Sequence, residues 1–407
     1  MMKKILWVLL ALLCLTACGT EETPEITQPP LPVEIEIPYE EPTEEALPYE
    51  GVEVSFDAIW QESDPAAQVL IQAQQLFEER TGAKVRILWP SQETEKADIL
   101  QISAADFETM DAEIALDLTE MAENAAYHEK SHAALQKQIV ERMGYLGAVA
   151  QVPYLGGVYY NADAFEECGI VTVPQTWEQF ELLCATLMEK GWQPLTMDKE
   201  DAVSAMELHL RRTIGTENMI RYMGKKDHWH FDQTVNKTME RVALLVQSGV
   251  MAYGTPADYP AGQNKMGISN SAMMIGTNAD CVAVEKDTLT NLCWGMFPYP
   301  GEIESGTWMT ADMLVIHKDC KNAQAAFDFV MLLVSGEFDQ LRANMDEGIP
   351  ADPANTSPIA GAMEALQEAE PKALGIFGAK QTDAAVKLWS AWYKDSSNYA
   401  KALERSK

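Results

Sequence analysis

The chain has 407 residues, a 47% apolar share and a formal net charge of -32 from 62 acidic against 30 basic side chains. That length accommodates two domains, and the apolar share is that of a globular protein. The acidity excludes nucleic acid as a partner, since phosphate binding needs a basic surface.

Lys3 and Lys4 precede an apolar run, Ile5–Leu15, which ends in Leu15-Thr16-Ala17-Cys18. A positive start, a short apolar core and small residues at the cut make a secretory signal. The run is too short to span a bilayer, which takes about 20 apolar residues. Leu-Thr-Ala-Cys resembles the lipobox of bacterial lipoproteins. The resemblance implies that residues 1–17 are removed and that Cys18 carries a lipid holding the chain to the extracellular face of the cell membrane. Several acyl chains on one residue anchor stably, at about 0.8 kcal/mol per buried methylene. From Gly19 to Glu50 there are ten Glu, seven Pro and no Lys or Arg. Mutual repulsion and proline predict an extended, disordered tether over residues 18–50. No later stretch is long and apolar enough for a membrane span. Beyond Cys14 and Cys18 the cysteines are Cys168, Cys184, Cys281, Cys293 and Cys320. They form no Cys-x-x-Cys unit, and they read as small buried thiols. Pairing of Cys168 with Cys184, or of Cys281 with Cys293, stays open.

Val52–Trp60 alternates as a strand. Asp64-Pro65 opens a helix with Val69, Leu70, Ala73, Leu76 and Phe77 at helical spacing, closed by Thr81-Gly82. Val85–Trp89 and Ala97–Ile102 are the next strands, so a βαβ unit with a parallel sheet is expected. Helices are predicted over Ala104–Met110, Leu118–Ala126 and His132–Met143. Gln151–Asn161 reads as a strand interrupted by Gly156-Gly157, where a bend or a close approach to the backbone is expected. Ala162–Cys168 is helical and stops at Gly169. Thr176, with Gln179 three residues on, caps the following helix. Further helices are expected near Val203–Ile214, Thr234–Gln247 and Asn322–Val334. Short strands are expected at Ala272–Ile275, Trp294–Phe297 and Met313–His317. No internal repeat is present.

Val152-Pro153-Tyr154 to Tyr159-Tyr160-Asn161, Gly169-Ile170, and Val173-Pro174-Gln175-Thr176-Trp177-Glu178-Gln179-Phe180 resemble the extracellular solute-binding proteins of ABC importers. The similarity is to the sugar-binding branch that includes maltose-binding protein. Ser271–Gly276, Pro298–Gly301, Lys321–Phe329 and Gly348–Ala351 agree in order, and the resemblance covers about residues 51–400. It implies an α/β fold of two lobes (the type II periplasmic-binding-protein fold), each a mixed, mostly parallel sheet flanked by helices. Residues 51–153 and 308–336 would form one lobe, and 157–305 and 340–407 the other. Hinge crossings would lie near 154–158, 305–311 and 336–342. The chain would be a monomer that captures a sugar or oligosaccharide in the interlobe cleft and delivers it to the permease subunits, with no cofactor and no covalent chemistry.

A sugar presents hydroxyls and apolar C–H faces, so its site needs aromatic platforms and hydrogen-bonding side chains. Trp60 and Trp89 end two strands, where open α/β sheets bind ligands. Trp308 lies in the second expected crossing. Asp198, Asn278, Asp280 and Asp312 are the candidate hydroxyl partners. Thr277-Asn278-Ala279-Asp280 lacks the Trp that the family often carries there, which argues against maltose itself. Trp177 reads as structural, and Trp389 and Trp392 as one packed helical face. One alternative is a zinc peptidase on His128-Glu129-Lys130-Ser131-His132, a formal His-Glu-x-x-His, although Lys130 and Ser131 make the segment unusually polar. His228-Trp229-His230 is a weaker metal candidate. Another alternative is a ligand-sensing lipoprotein without a transport role.

Overall fold

The computed structural model describes residues 47–90, 96–197, 202–223, 244–253, 271–288, 293–301, 303–304 and 306–372. Cys18, Asp198, His228, His230, Trp389 and Trp392 lie outside these residues, as does the segment 234–243.

β1 (Glu53–Asp57), α1 (Pro65–Thr81) and β2 (Lys84–Leu88) form the expected unit, and β1 pairs in parallel with both β2 and β3 (Ile99–Ile102). Pro65 occupies the first turn of α1, and Gly82 ends it with a left-handed φ of 72°. Ala66, Val69, Leu70, Ala73 and Phe77 are its buried stripe. Phe77 and Phe56 both meet Phe329, with ring centroids 5.2 and 6.0 Å apart. The expected tether ends sooner than its composition suggests. Tyr49 stacks on Phe77, its N–H donates to Thr81 O at 2.8 Å, and its hydroxyl bonds Asp328. An aromatic ring with a packing partner outweighs the local proline and charge.

α2 (Ala104–Thr109), α3 (Thr119–Asn124) and α4 (Ala133–Met143) follow, then the 13-residue β4 (Val149–Asn161). α5 (Ala162–Glu167), α6 (Trp177–Glu189), β5 (Gln193–Met197), α7 (Ala202–Ile214), α8 (Thr216–Met223) and β6 (Met251–Tyr253) come next. Thr176 and Gln179 cap α6 reciprocally, as their spacing predicts. β7 (Ser271–Gly276), α9 (Asn278–Thr288), β8 (Trp294–Phe297) and β9 (Trp308–Ile316) lead to α10 (Ala323–Leu333), α11 (Gly336–Arg342), α12 (Ala362–Gln367) and β10 (Glu370–Pro371).

The strand order is β2-β1-β3-β9-β4-β7-β5-β6, with β10 beside β9 and β8 beside β4. β4 is not interrupted at the glycine pair. It is one strand that changes partners there. Residues through Gly156 pair with β9, whereas those from Gly157 on pair with β7 and β8. At about 3.3 Å per residue the strand is roughly 43 Å long, enough to serve two sheets. A Cβ on Gly156 would fall 2.2 Å from Trp308 Cε2, and one on Gly157 2.6 Å from Met296 Cε. The glycines therefore seat a ring and a thioether against the strand.

Gly336–Arg342, expected as a crossing, is α11, which packs on α1. After α11 the chain packs against the second sheet, where Ala360 N donates to Trp294 O, Ala360 O accepts from Met296 N, and Ile359, Ala362 and Ala365 share a core with Met274 and Met296. Buried Asp339 fixes the intervening loop, accepting from Ala351 N at 2.8 Å, Asp352 N at 2.9 Å and Arg342 Nη2 at 3.0 Å. The five cysteines after Cys18 are all free, and burial raises the Cys184 thiol to about 12. Among the described residues, no helix is long and apolar enough to cross a membrane.

Candidate functional site

Beyond the carboxyl end of β3, which pairs Ile102 with Met313, β9 runs on through Asp312 to Trp308 alongside β4. This β4–β9 ribbon, flanked by β10 at Trp308 and Met309, links the two sheets. Met309, Ala311 and Leu155 bury into the core shared with Leu135 and Ile139 of α4. The alternating β9 residues are Trp308, Thr310 and Asp312, with Tyr154 opposite Thr310.

Asp312 is buried. Its Oδ1 accepts from Ala104 N at 2.7 Å, and its Oδ2 from the half-buried Tyr154 hydroxyl at 2.8 Å. Burial pushes its carboxyl above the usual aspartate range, against the lowering pull of these two donors and of Arg342. Buried Gln138 donates from Nε2 to Thr310 Oγ1 and Glu108 Oε1, both at 3.0 Å, while its Oε1 has no partner among the described residues. A second amide, Gln101, accepts from Ile59 N at 2.9 Å and donates to Gln151 Oε1 at 2.8 Å. It thereby ties the Ile59–Trp60 turn to β3 and β4. Trp60 is half-buried at this strand end. Hydroxyl, carboxylate and carboxamide groups with an indole nearby can exchange hydrogen bonds with a neutral polyhydroxylated ligand and cover its apolar face.

The other expected contacts sit elsewhere. Trp89 borders a groove of about 490 Å³ between α1 and the edge strand β2, with Ile71, Gln74 and Glu78. β2 is four places from β4 in the strand order, so the structure does not bring Trp89 to the ribbon. Asn278 is buried, and its Oδ1 accepts from Leu155 N at 2.9 Å while its Nδ2 donates to Pro153 O at 3.1 Å. It pins α9 to β4, because a buried strand backbone needs partners that the neighbouring strand does not supply. Asp280 is partly buried and bonds within its own helix start. Its Oδ2 accepts from Thr277 N at 2.6 Å and Thr277 Oγ1 at 2.9 Å, closing the first turn of α9. Trp308 is in the crossing, but it is 1% exposed within the core around β5 and β7, bounded by Gly156 and Lys372, and its Nε1 has no partner among the described residues. Trp177 is structural, buried with Nε1 donating to Glu181 at 2.8 Å.

The His-Glu-x-x-His segment does not form a helix presenting both imidazoles on one face. Tyr127–Glu129 is a single tight turn entered through Ala126 at φ 51°, and His132 is the residue before α4. His128 is exposed, whereas buried His132 places Nε2 2.9 Å from Pro350 O. The zinc-peptidase geometry is therefore absent. Among the described residues, no group of three His, Cys, Asp or Glu side chains is placed to hold a metal.

Gln101, Gln138, Glu108, Thr310 and Tyr154 were not singled out from sequence as site residues. Gln138 carried a signal, being a polar residue between Leu135 and Ile139 on the apolar stripe of α4.

A search of curated protein sequences returns no match. The fold is shared with solved structures of low identity. RafE from Streptococcus pneumoniae in its apo form matches with a TM-score of 0.68 and 16% identity, over 90% of this chain and 98% of that one. RafE in complex with raffinose matches at 0.61 and 18%, over 87% and 97%. An ABC substrate-binding protein from Listeria monocytogenes in complex with cycloalternan matches at 0.57 and 16%, over 87% and 97%. The profile of the family described as bacterial extracellular solute-binding protein matches residues 58–337. With more than half the chain matched and this fold in place, the protein belongs to the bacterial extracellular solute-binding protein family.

Proposed function

We propose that this chain captures a neutral sugar or oligosaccharide where the β4–β9 ribbon joins its two sheets, and presents it to an ABC importer without covalent chemistry. The observation that carries the reading is the ribbon itself. Tyr154, Thr310 and Asp312, with Gln138 and Glu108 behind them, gather hydroxyl-binding groups where one strand serves both sheets. Trp60 supplies an aromatic face at the adjacent strand end, and Asp198, which follows β5 in the sequence, is a further proposed contact. Similar structures hold raffinose and cycloalternan. A net charge of -32 disfavours anionic ligands. Closure would be a hinge motion of the two bodies about the ribbon.

Lipidation of Cys18 would hold the monomer at the extracellular face of the membrane, and the acidic segment behind it would give reach. Thermal-shift and calorimetric titration with raffinose, stachyose and maltotriose test the ligand class. Stabilisation by at least one is expected. Stabilisation by amino acids or peptides, with none by sugars, would overturn it. Cys18→Ser should move the protein from the membrane fraction to the medium, and continued membrane retention would refute the anchor.

A further inference from the structure

Residues 370–372 touch three parts of the fold at once. Glu370 and Pro371 pair in parallel with Trp308 and Met309, and Lys372 N donates to Met309 O at 2.9 Å. Glu370 Oε2 lies 2.7 Å from Lys137 Nζ on α4, whose Leu135 and Ile139 belong to the core beneath β9. Pro371 O accepts from Arg211 of α7, whose Leu208 and Leu210 belong to the core around β5 and β7. Arg211 is itself buried and paired with Glu207 at 2.6 Å. Lys372 Nζ sits over the Trp308 ring, 4.2 Å from its centroid.

We propose that Glu370–Lys372 is a strap whose lysine gates the Trp308 indole, so that a sugar ring stacks there only after the ammonium swings aside. This rests on the sugar-capture reading above. An ammonium and the C–H face of a sugar compete for the same π surface. The anchors are unequal in a way that suits a gate. The Lys137–Glu370 pair is half-exposed, at 51% and 44%, and exposed pairs hold weakly. The Arg211–Pro371 contact is part-buried, but Arg211 is itself held by the buried Glu207 pair and fixes the pivot, so rotation of the Lys372 side chain lifts the cover from one face of the ring. A second, independent observation points to a ligand: among the described residues Trp308 Nε1 is buried without an acceptor, and buried indole N–H groups ordinarily have one. A ligand hydroxyl would supply it.

Acrylamide quenching of the full folded chain tests the gate without any sugar. Each variant is measured with and without Trp308→Phe, and the difference isolates that indole. Lys372→Ala should make the Trp308 component at least about three-fold more quenchable, and Lys372→Arg should leave it shielded. Glu370→Gln, which cuts only the half-exposed tether, should shift it in the same direction as Lys372→Ala by a smaller factor, and it serves if Lys372→Ala folds poorly. In calorimetric titration with raffinose and stachyose, Lys372→Ala should bind the sugar that the wild type takes about two- to thirty-fold more tightly, the range of a cation over an indole. Equal quenching in wild type, Lys372→Ala and Glu370→Gln would overturn the gate. Unchanged affinity in Lys372→Ala would do so as well. If the wild type binds neither sugar, quenching alone decides the gate, and the sugar-capture reading fails separately.

Discussion

Replacing Asn278 should damage stability more than its position at a helix start suggests. Its carboxamide satisfies one backbone donor and one backbone acceptor of β4, Leu155 N at 2.9 Å and Pro153 O at 3.1 Å. Because the partners differ in kind, they also fix which amide atom is oxygen. Asn278 is 1% exposed, so Asn278→Ala leaves both groups buried and unsatisfied. Each such group costs about 1–3 kcal/mol, and with partial relaxation the expected loss is about 2–4 kcal/mol. Asn278→Asp separates the two bonds. A carboxylate keeps the contact to Leu155 N but opposes Pro153 O, whereas a protonated carboxyl can donate to that carbonyl. The introduced group should therefore titrate higher in the folded chain than in the unfolded one. Its stabilising form is present at low pH and is lost as pH rises through the folded value. Urea unfolding followed by circular dichroism at pH 4.5 and 7 measures both effects. A loss below about 0.5 kcal/mol for Asn278→Ala, or an Asn278→Asp variant that gains relative to wild type as pH rises, would refute the reasoning.

Gly156→Ala places a methyl 2.2 Å from Trp308 Cε2. It should cost about 1–3 kcal/mol as an overpacked core does, and it should shift the tryptophan emission only when Trp308 is present; a thermal melt within a degree of wild type would contradict this. Asp312 has a raised folded-state pKa, so its contribution is full below the ordinary aspartate value and falls as pH rises through the raised one. Asp312→Asn should flatten that fall in a melting-temperature profile, and a profile parallel to wild type would remove Asp312 as its source. Burial depresses His132 despite the raising contacts from Pro350 O, Asp339 and Asp352. Its contribution is therefore present above the ordinary histidine value and is lost as pH falls through the folded one. His132→Gln should blunt acid destabilisation, and zinc should not raise the wild-type melting temperature; a rise reversed by chelator would restore the metal reading.

Much of the scaffold was legible because local chemistry and tertiary structure agree. Pro65 and Gly82 bracket α1, Thr176 and Gln179 cap α6, and the alternation of Val52–Phe56 makes β1. Gly156-Gly157 was visible as a special point, but not its meaning. A change of strand partners and a ring seated on glycine are properties of distant segments, and local pattern does not encode them. The site was less legible for the same reason. Asn278 and Asp280 carry the residue types a sugar needs, yet polar side chains at a helix start serve equally to satisfy backbone. Thr277 with Asp280 three residues later was the available sign of that role. Gln101 and Gln138 gain importance only through partners 50 and 172 residues away. The His-Glu-x-x-His spacing failed because a left-handed Ala126 and a single tight turn stand where a helix was required.

The central claim is that a neutral carbohydrate binds where β4 and β9 join the two sheets. A crystal structure of the chain grown with the oligosaccharide that most raises its melting temperature tests this most directly. The account predicts density for a sugar beside Tyr154, Thr310 and Asp312, with hydroxyls hydrogen-bonded to these residues. A ligand bound instead in the groove at Trp89, or a non-carbohydrate ligand at the ribbon, would contradict it.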